Sequence, residues 1–454
     1  MAIETINPAT GATLESFHEM DPDKVAAAIE EGHARWGTWR ATLPGARSTL
    51  MRRAGRVLRE RRDDLALLIA AEMGKPITQG RAEIEKCAWA CEHYAHDAES
   101  YLSREEIKTD RPRSYVVFEP LGVVLGVMPW NFPFWQVFRF AVPAIMAGNV
   151  ALLKHASNVP RSALAIEEVF RAASFPAGVF RTLIVESERV RDVIAHPLVA
   201  AVTLTGSTAA GASVAAHAGA AVKKTVLELG GSDPYVVLED ADLDRAAAIC
   251  VEARLVNSGQ SCIAAKRFIV VEEVADDFVA LFVSRMRSKR VGDPTDEATE
   301  IGPLARRDLR DALHRQVTES VARGARIVLG GEIPPGPGAF YPPTVLTHVA
   351  PGMPAYEDEL FGPVAAVLVA RDEDDAVRLA NDSRFGLGAA VFTKSPERGE
   401  AMAGKIQAGS VFVNAQVASD PRLPFGGIKA SGYGRELGAY GIREFVNAKT
   451  IVVA

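Results

Sequence analysis

A lone cysteine, Cys262, lies in the stretch Asn-Ser-Gly-Gln-Ser-Cys-Ile-Ala-Ala-Lys-Arg that covers residues 257–267. Free cysteine usually packs as an inert apolar residue, so a chemical role depends on partners elsewhere in the chain. A thiol that attacks a carbonyl carbon needs a base to take its proton and donors to hold the oxyanion that forms. A reactive Cys262 therefore requires a carboxylate and an amide in suitable settings elsewhere in the sequence.

Glu228 is the candidate base and Asn131 is the candidate oxyanion donor. Glu228 lies among apolar residues and glycines in Leu-Glu-Leu-Gly-Gly, where burial raises the pKa of a carboxyl towards the range of a general base. Asn131 follows an apolar strand in Met-Pro-Trp-Asn-Phe-Pro, and its two prolines restrict the backbone. Taken singly, Glu228 could instead be a salt-bridge partner and Asn131 an ordinary turn residue.

Phosphate binding is indicated by Gly206 and Ser207, which follow the apolar run Val202–Thr205 and precede an Ala-rich helix. A glycine there lets the backbone approach a ligand, and the free N–H groups of a helix N-terminus favour an anion such as a pyrophosphate. The stretch lacks the full Gly-x-Gly-x-x-Gly pattern and also fits a tight structural turn. Lys154 ends another predicted strand, 150–154, where a lysine could bind a ribose or simply face solvent.

These candidate residues lie between predicted strands and helices that alternate along the chain. Short apolar runs are followed by amphipathic stretches of about ten residues, a pattern that predicts βαβ units and parallel sheets. We expect two doubly wound α/β domains in series. Strands are predicted at 122–128, 150–153, 181–185, 200–204 and 388–392, and helices at 46–72, 161–172, 209–218 and 275–288. The terminal strand 450–454 has no neighbour in sequence, so it should pair with a distant segment or another subunit.

Composition restricts the function class. The chain has 454 residues with 48% hydrophobic and 24% charged residues, which is the balance of a globular protein. Its net charge of −6 argues against nucleic-acid binding. The start carries no signal-peptide pattern and no apolar run is long enough to span a bilayer, so we expect a cytoplasmic protein with no membrane or nucleic-acid partner. Four cysteines argue against a disulfide scaffold.

A zinc site is the obvious alternative for two of those cysteines, Cys87 and Cys91, which lie near His93 and His96. The whole segment has a helical pattern, and one helix cannot arrange four ligands tetrahedrally around one ion. We therefore predict no metal.

Six stretches in order resemble the aldehyde dehydrogenase superfamily over essentially the whole chain, and short bacterial succinate-semialdehyde dehydrogenases in particular. They are Pro-Trp-Asn-Phe-Pro at 129–133, Thr-Gly-Ser-Thr at 205–208, Glu-Leu-Gly-Gly at 228–231, Gly-Gln-Ser-Cys at 259–262, Glu-Leu-Phe-Gly-Pro-Val at 359–364 and Pro-Phe-Gly-Gly-Ile-Lys at 424–429. The resemblance implies that Cys262 forms a thiohemiacetal and then a thioester. It also implies that Asn131 helps to hold the oxyanion and that Glu228 activates water.

The resemblance further implies cofactor contacts and a domain plan. The positions that match cofactor contacts, in addition to Gly206, are Trp130, Lys154, Ser207, Glu359 and Phe361. The plan has a Rossmann-like cofactor domain at 1–101 and 121–229, a catalytic domain at 230–412, and an oligomerisation arm at 102–120 and 440–454. A homodimer or homotetramer is the expected assembly.

The cofactor preference depends on Ser157. Many NAD-preferring relatives have a glutamate here, which hydrogen-bonds the adenosine ribose and repels a 2′-phosphate. This chain reads Lys-His-Ala-Ser at 154–157. A small neutral residue admits NADP, so we expect NADP or use of both NADP and NAD.

The substrate prediction depends on Arg139, in Asn-Phe-Pro-Phe-Trp-Gln-Val-Phe-Arg. Succinate-semialdehyde dehydrogenases resemble this chain in having an arginine there, which holds the substrate carboxylate, and a planar guanidinium suits that task. Ser419 is expected to add a hydroxyl contact. Alternatively, Arg139 faces solvent or an internal carboxylate, and the substrate is another aliphatic or an aromatic aldehyde.

Two further alternatives have different chemistry. A Cys–Glu thioesterase or esterase would use the same acyl chemistry without a nicotinamide cofactor, which would leave Gly206, Lys154 and Glu359 without a role. A non-catalytic protein on this fold would have lost Cys262 or Glu228, and both are present.

Overall fold

The structure is a computed structural model that describes residues 2–454. Up to the end of the first large sheet, the elements in chain order are β1 (Ala2–Ile6), β2 (Thr13–His18), α1 (Pro22–Trp39), α2 (Pro44–Glu60), α3 (Arg62–Met73), α4 (Ile77–Tyr101), β3 (Glu105–Glu106), β4 (Arg113–Pro120), β5 (Val123–Met128), α5 (Trp135–Met146), β6 (Val150–His155), α6 (Pro160–Ala172), β7 (Phe180–Thr182), α7 (Val190–Ala195), β8 (Val199–Thr205), α8 (Thr208–Ala220) and β9 (Lys224–Glu228).

The remaining elements build the second large sheet and return to the first. They are β10 (Pro234–Val237), α9 (Leu243–Leu255), β11 (Arg267–Val271), α10 (Ala275–Arg287), α11 (Arg307–Ala322), β12 (Arg326–Leu329), β13 (Thr344–Thr347), α12 (Pro354–Glu357), β14 (Val364–Ala370), α13 (Glu373–Asn381), β15 (Gly388–Phe392), α14 (Pro396–Ala403), β16 (Ser410–Val413), β17 (Gly432–Tyr433), α15 (Gly438–Ile442) and β18 (Val446–Val453).

Sheet A has the order β17-β9-β8-β5-β6-β7, and its strands are parallel except for the edge strand β17. The chain adds β6 and β7 on one side of β5 and then β8 and β9 on the other. Strand order therefore reverses between β5 and β8. In open parallel sheets, ligands bind beyond the carboxyl ends of the strands at this reversal.

Sheet B has the order β12-β13-β14-β11-β10-β15-β16, and all its pairings are parallel except that of β12 with β13. Buried residues fill β10, β11 and β15 completely, as expected for strands covered by helices on both faces. The predicted α/β class with two parallel sheets is confirmed.

A third sheet joins the end of the chain to its middle. Strand β18 pairs antiparallel with β4 along its whole length, from Val446 opposite Pro120 to Val453 opposite Arg113, and β3 lies on the other side of β4. The expectation that the terminal strand pairs with a distant segment is confirmed. The domain boundaries stay a prediction; residues 413–439, which they leave unassigned, contribute β17 to sheet A.

Two elements differ from expectation. The helix predicted at 46–72 is two helices, α2 and α3, separated at Arg61, whose φ of −104° and ψ of 12° are not helical. The strand predicted at 181–185 ends at Thr182.

Cys87 and Cys91 are both fully buried on α4, and the described residues 2–454 contain no group of three or more potential metal ligands. No helix in this range is long and apolar enough to cross a membrane.

Candidate active site

Asn131 and Cys262 meet where the two large sheets face each other. Asn131 follows β5 at the carboxyl edge of sheet A, whereas Cys262 precedes β11 at the amino edge of sheet B. The side-chain amide of Asn131 donates to the carbonyl oxygen of Gln260 at 3.0 Å. This hydrogen bond uses one of the two amide hydrogens and leaves the other for a ligand.

The loop before Cys262 is held in an unusual backbone conformation. Asn257 and Ser258 have φ values of 53° and 56°, and the Asn257 amide donates to the Asn131 carbonyl at 2.6 Å and the Gln260 carbonyl at 3.0 Å. Gly259 also has a positive φ, 78°, and a Cβ there would overlap the carbonyl of Gly362. Strained residues held by surrounding contacts are a feature of functional sites.

Cys262 lines a pocket of about 530 Å³ whose wall also carries Arg139 and Ser419. Burial raises the pKa of the Cys262 thiol to about 12, and the positive charges of Arg139 and Lys266 oppose this rise. Lys266 donates to the carbonyl oxygens of Ser261 and Cys262 at 2.7 and 2.6 Å. The raised pKa favours the neutral thiol, which needs a base before it can attack a carbonyl carbon.

Glu228 is the candidate for this base. It is the last residue of β9 and is only 2% exposed, and neither carboxylate oxygen has a hydrogen-bond partner within residues 2–454. Burial raises its pKa well above the usual value, the nearby Glu436 raises it further, and Arg139 opposes both. Strand β17 covers the β9 backbone at this point, with Gly432 opposite Glu228.

Arg139 is buried in α5 and forms an ion pair with Glu436. Its Nη2 donates to the Thr205 hydroxyl at 3.2 Å, and its guanidinium lies over the Phe425 ring, 4.5 Å from the centroid. The internal carboxylate that the sequence left open as an alternative is therefore present. Arg139 still lines the pocket, and its Nη1 makes no hydrogen bond to any residue in 2–454.

Ser419 is buried on the pocket wall and accepts a hydrogen bond from the Lys86 ammonium at 2.8 Å. Sequence reasoning missed Lys86, Lys266 and Glu436. No local pattern distinguishes these residues from other charges on helices and loops. Lys86 and Glu436 are identified only by partners far away in the chain, and Lys266 by its contacts with Glu359 and with the carbonyls of the Cys262 loop.

The predicted phosphate and ribose contacts lie at the strand-order reversal of sheet A. Ser207 is the N-cap of α8, and its hydroxyl accepts from the N–H of Ala210 at 3.2 Å. Lys154 is buried in β6, donates to Ser187 at 3.3 Å, and has its pKa lowered by burial. Ser157 is exposed beyond the same strand. Gly206 lies at the turn between β8 and α8.

Two further predicted cofactor contacts form a pair across the sheets. The rings of Trp130 and Phe361 meet edge to face, with centroids 5.7 Å apart. Glu359 accepts from the N–H of Gly231 at 3.1 Å and lies 3.2 Å from the Lys266 ammonium. Lys266 therefore joins Glu359 to the backbone of the Cys262 loop.

Cys262 lines a pocket, and the amide of Asn131 is hydrogen-bonded to the loop that carries this thiol. Together with Glu228, a buried carboxylate without a hydrogen-bond partner in residues 2–454, these groups are typical of a cysteine enzyme that acts on carbonyl compounds. The sequence profile of the aldehyde dehydrogenase family matches residues 1–451, and the chain belongs to this family. The resemblance read from the sequence is confirmed.

Curated relatives are similar to this chain in sequence over their full lengths. The chain is 51% identical to a probable NADP(+) succinate-semialdehyde dehydrogenase of Synechocystis over 454 residues, with 100% of both chains covered. It is 49% identical to the NADP(+) succinate-semialdehyde dehydrogenase 1 of Mycobacterium tuberculosis, again with 100% of both covered.

Solved structures share this fold at lower sequence identity. The crystal structure of succinic semialdehyde dehydrogenase from Streptococcus pyogenes in complex with NADP+ has a TM-score of 0.98 at 38% identity, with 100% of both chains covered. The succinate-semialdehyde dehydrogenase of Burkholderia pseudomallei has a TM-score of 0.97 at 34% identity, with 100% of this chain and 95% of that chain covered.

Proposed function

We propose that this protein oxidises succinate semialdehyde to succinate with NADP as the cofactor. The observation that carries the substrate is the pocket of Cys262, which combines the nucleophile with the basic residue Arg139 and the hydroxyl of Ser419 on one wall. An aldehyde with a carboxylate at its far end could interact with this basic residue and this hydroxyl. The names of the relatives with 49–51% identity support the same substrate and cofactor.

The residues at the reversal of sheet A fit a dinucleotide. The N-terminus of α8 is open to an anion, and Lys154 is a buried ammonium whose hydrogen bond goes to a neutral serine. Asn158 is buried, and both its amide atoms lack a partner within residues 2–454, which suits a polar ligand. The proposed cofactor contacts are Trp130, Lys154, Ser157, Gly206, Ser207, Glu359 and Phe361. When bound, the nicotinamide supplies the electron acceptor of the oxidation.

The proposed chemistry of the chain begins with proton transfer. Glu228, whose pKa is raised by burial, takes the thiol proton of Cys262, either directly or through water. The thiolate adds to the aldehyde carbon and the carbonyl oxygen becomes an oxyanion. The free amide hydrogen of Asn131 and the main-chain N–H of Cys262 stabilise that charge.

The second half of the proposed reaction releases the acid. Once the substrate carbon has been oxidised, Cys262 holds the acyl group as a thioester. Glu228 first releases the thiol proton to solvent. It then removes a proton from water, which adds to the thioester carbon, and the thiolate leaves and recovers a proton. Burial and Glu436 raise the pKa of Glu228 and Arg139 lowers it, so these influences oppose each other at the carboxyl that must take up and release a proton in one cycle.

Assembly and location are part of the proposal. We infer a cytoplasmic homodimer or homotetramer in which the arm sheet contributes to the contact, because β18 has β4 on one side and no strand on the other within the described chain. The domain plan from the sequence is retained as part of this proposal. Light scattering after size-exclusion chromatography measures the assembly, and a monomer would contradict it.

A panel of aldehydes assayed with NADP and with NAD tests the function. We expect kcat/KM to be highest for succinate semialdehyde with NADP, and lower for butanal, betaine aldehyde and benzaldehyde. The Cys262→Ala variant is the control, and it should form no NADPH with any aldehyde. Ester hydrolysis without reduction of either cofactor would favour the esterase alternative, and a preference for a neutral aldehyde would contradict the substrate.

A further inference from the structure

Lys86 presents an ammonium group to the pocket of Cys262 from the α4 side. Its Nζ donates to the Ser419 hydroxyl at 2.8 Å and lies 4.6 Å from the centroid of the Trp135 ring. Both contacts are with neutral groups. No carboxylate of the described chain lies within ion-pairing distance of this ammonium.

The other charged residues on the pocket wall are neutralised within the protein. The ion pairs are Glu83 with Lys75, Glu297 with Arg81, Lys289 with both Glu252 and Glu300, and Arg139 with Glu436. Lys86 is therefore the charge on this wall that residues 2–454 leave without a counter-ion. A half-buried charge without a counter-ion is costly unless a ligand supplies one.

The surroundings of Lys86 favour an anion as that ligand. Burial and, to a smaller extent, the positive charge of Arg139 lower the pKa of Lys86 to about 8, so the two cations oppose each other across the pocket. Aromatic side chains such as Phe132 and Phe425 form much of the remaining wall and keep the dielectric low. A carboxylate bound beside Lys86 would relieve the repulsion, whereas a neutral aldehyde would not.

Lys86 acts on the ligand more directly than on the nucleophile. The positive charges that lower the pKa of Cys262 are those of Arg139 and Lys266. Arg139, in turn, already has Glu436 as its counter-ion. Arg139 therefore lines the pocket with an internal counter-ion, whereas Lys86 lines it without one in the described chain.

We propose that Lys86 is a further specificity-determining residue, which binds the distal carboxylate of the aldehyde substrate together with Arg139, while Ser419 positions the Lys86 ammonium group. This inference rests on the proposed function and adds a residue that selects an anionic aldehyde. Ammonium and carboxylate form a charge-assisted hydrogen bond in a mostly apolar pocket, which is where such bonds are strongest.

Kinetics with two four-carbon aldehydes test the proposal. In Lys86→Met we expect KM for succinate semialdehyde to rise roughly 10- to 100-fold, because a charge-assisted hydrogen bond is lost, while butanal changes less than about twofold. Lys86→Arg should restore most of the selectivity. Lys289→Met is the matched control, since Lys289 is on the same wall but paired with two carboxylates, and the ratio of kcat/KM for the two aldehydes should stay within about twofold.

The outcomes separate this proposal from the proposed function. Failure of the unmodified protein to oxidise succinate semialdehyde would overturn the function itself. Normal oxidation by the unmodified protein, with equal losses on both aldehydes in Lys86→Met, would overturn the role of Lys86. If Lys86→Met does not fold, Lys86→Gln with succinate as a competitive inhibitor gives the same decision: an unchanged inhibition constant contradicts the proposal, and weaker inhibition supports it.

Discussion

Two lysines near the start of α4, Lys75 and Lys86, have similar neighbours and different electrostatics. Lys75 lies over the Phe132 ring, 3.7 Å from its centroid, and Lys86 lies over the Trp135 ring. Burial lowers the pKa of both ammonium groups. Lys75 has Glu83 as its counter-ion, whereas Lys86 has the hydroxyl of Ser419.

The comparison separates a structural charge from a functional one. Glu83 accepts from the backbone N–H groups of Phe134 and Trp135 at 2.9 and 3.0 Å, so the Lys75–Glu83 pair fixes the start of α5 and needs nothing from outside. Lys86 and Glu228 are incompletely partnered within the described residues. Both of these incompletely partnered charges belong to the proposed site.

The largest effect is expected at Glu228, the unsatisfied carboxylate. Glu228→Gln should lower kcat by about 10²- to 10⁴-fold, because an amide cannot accept the proton. The folded state raises the pKa of this carboxyl, so the unmodified protein loses stability as pH rises above the unfolded value of about 4.3. The variant should therefore be no less stable to urea at neutral pH; a large loss of stability there would assign Glu228 to the structural class.

Glu83→Gln tests the satisfied pair. It leaves Lys75 as a buried charge without a carboxylate, so we expect the free energy of unfolding in urea to fall by about 3–5 kcal/mol. Glu92→Gln is the control on the same helix, because the Arg59–Glu92 pair is solvent-exposed and should contribute less than about 1 kcal/mol. Equal losses in the two variants would show that burial does not distinguish them.

Ser419→Asp would make Lys86 resemble Lys75 by giving it an internal counter-ion. We expect KM for succinate semialdehyde to rise roughly tenfold or more, because the new carboxylate forms an ion pair with the Lys86 ammonium group and repels the carboxylate of the substrate. The parameters for butanal should be nearly unchanged. Ser419→Asn, which has the same shape without the charge, is the control; if it raises KM equally, the effect is steric.

The smallest effect is the pH dependence of substrate binding. Burial lowers the pKa of Lys86 to about 8 and Arg139 opposes its charge, whereas Glu83, Cys87 and Asp420 favour it. The ammonium form is lost as pH rises through this value, so KM for succinate semialdehyde should increase by about five- to tenfold between about pH 7 and pH 9. Lys86→Arg should remove the increase, and an identical increase with butanal would contradict the assignment.

The sequence was a good guide to elements whose periodicity is local. The strand predicted at 388–392 is β15, and the strand at 122–128 is β5 within one residue. The break between α2 and α3 at Arg61 was not predictable, since no glycine or proline marks it. Both α2 and α3 pack against α4, and hydrophobic periodicity along the sequence does not report such packing.

The site was predictable where a short motif carries the chemistry and not where two distant charges meet. Cys262, Asn131 and Ser419 lie around one region, as expected. The pairing of Arg139 with Glu436 and the contact of Lys86 with Ser419 join residues hundreds of positions apart. The sequence does not show which of several lysines lacks a counter-ion, because this depends on which carboxylates lie close to each lysine in the folded chain.

Strand β17 has a consequence for how the protein is made. Gly432 and Tyr433 complete the sheet beside Glu228, and Glu436, a few residues later, neutralises Arg139. During synthesis, therefore, the strand that carries the base is formed long before the segment that covers it emerges from the ribosome. We expect a nascent chain to assemble its two sheets first and to become reactive only when its last residues have docked, so that folding itself delays the exposure of a competent thiolate in the cell.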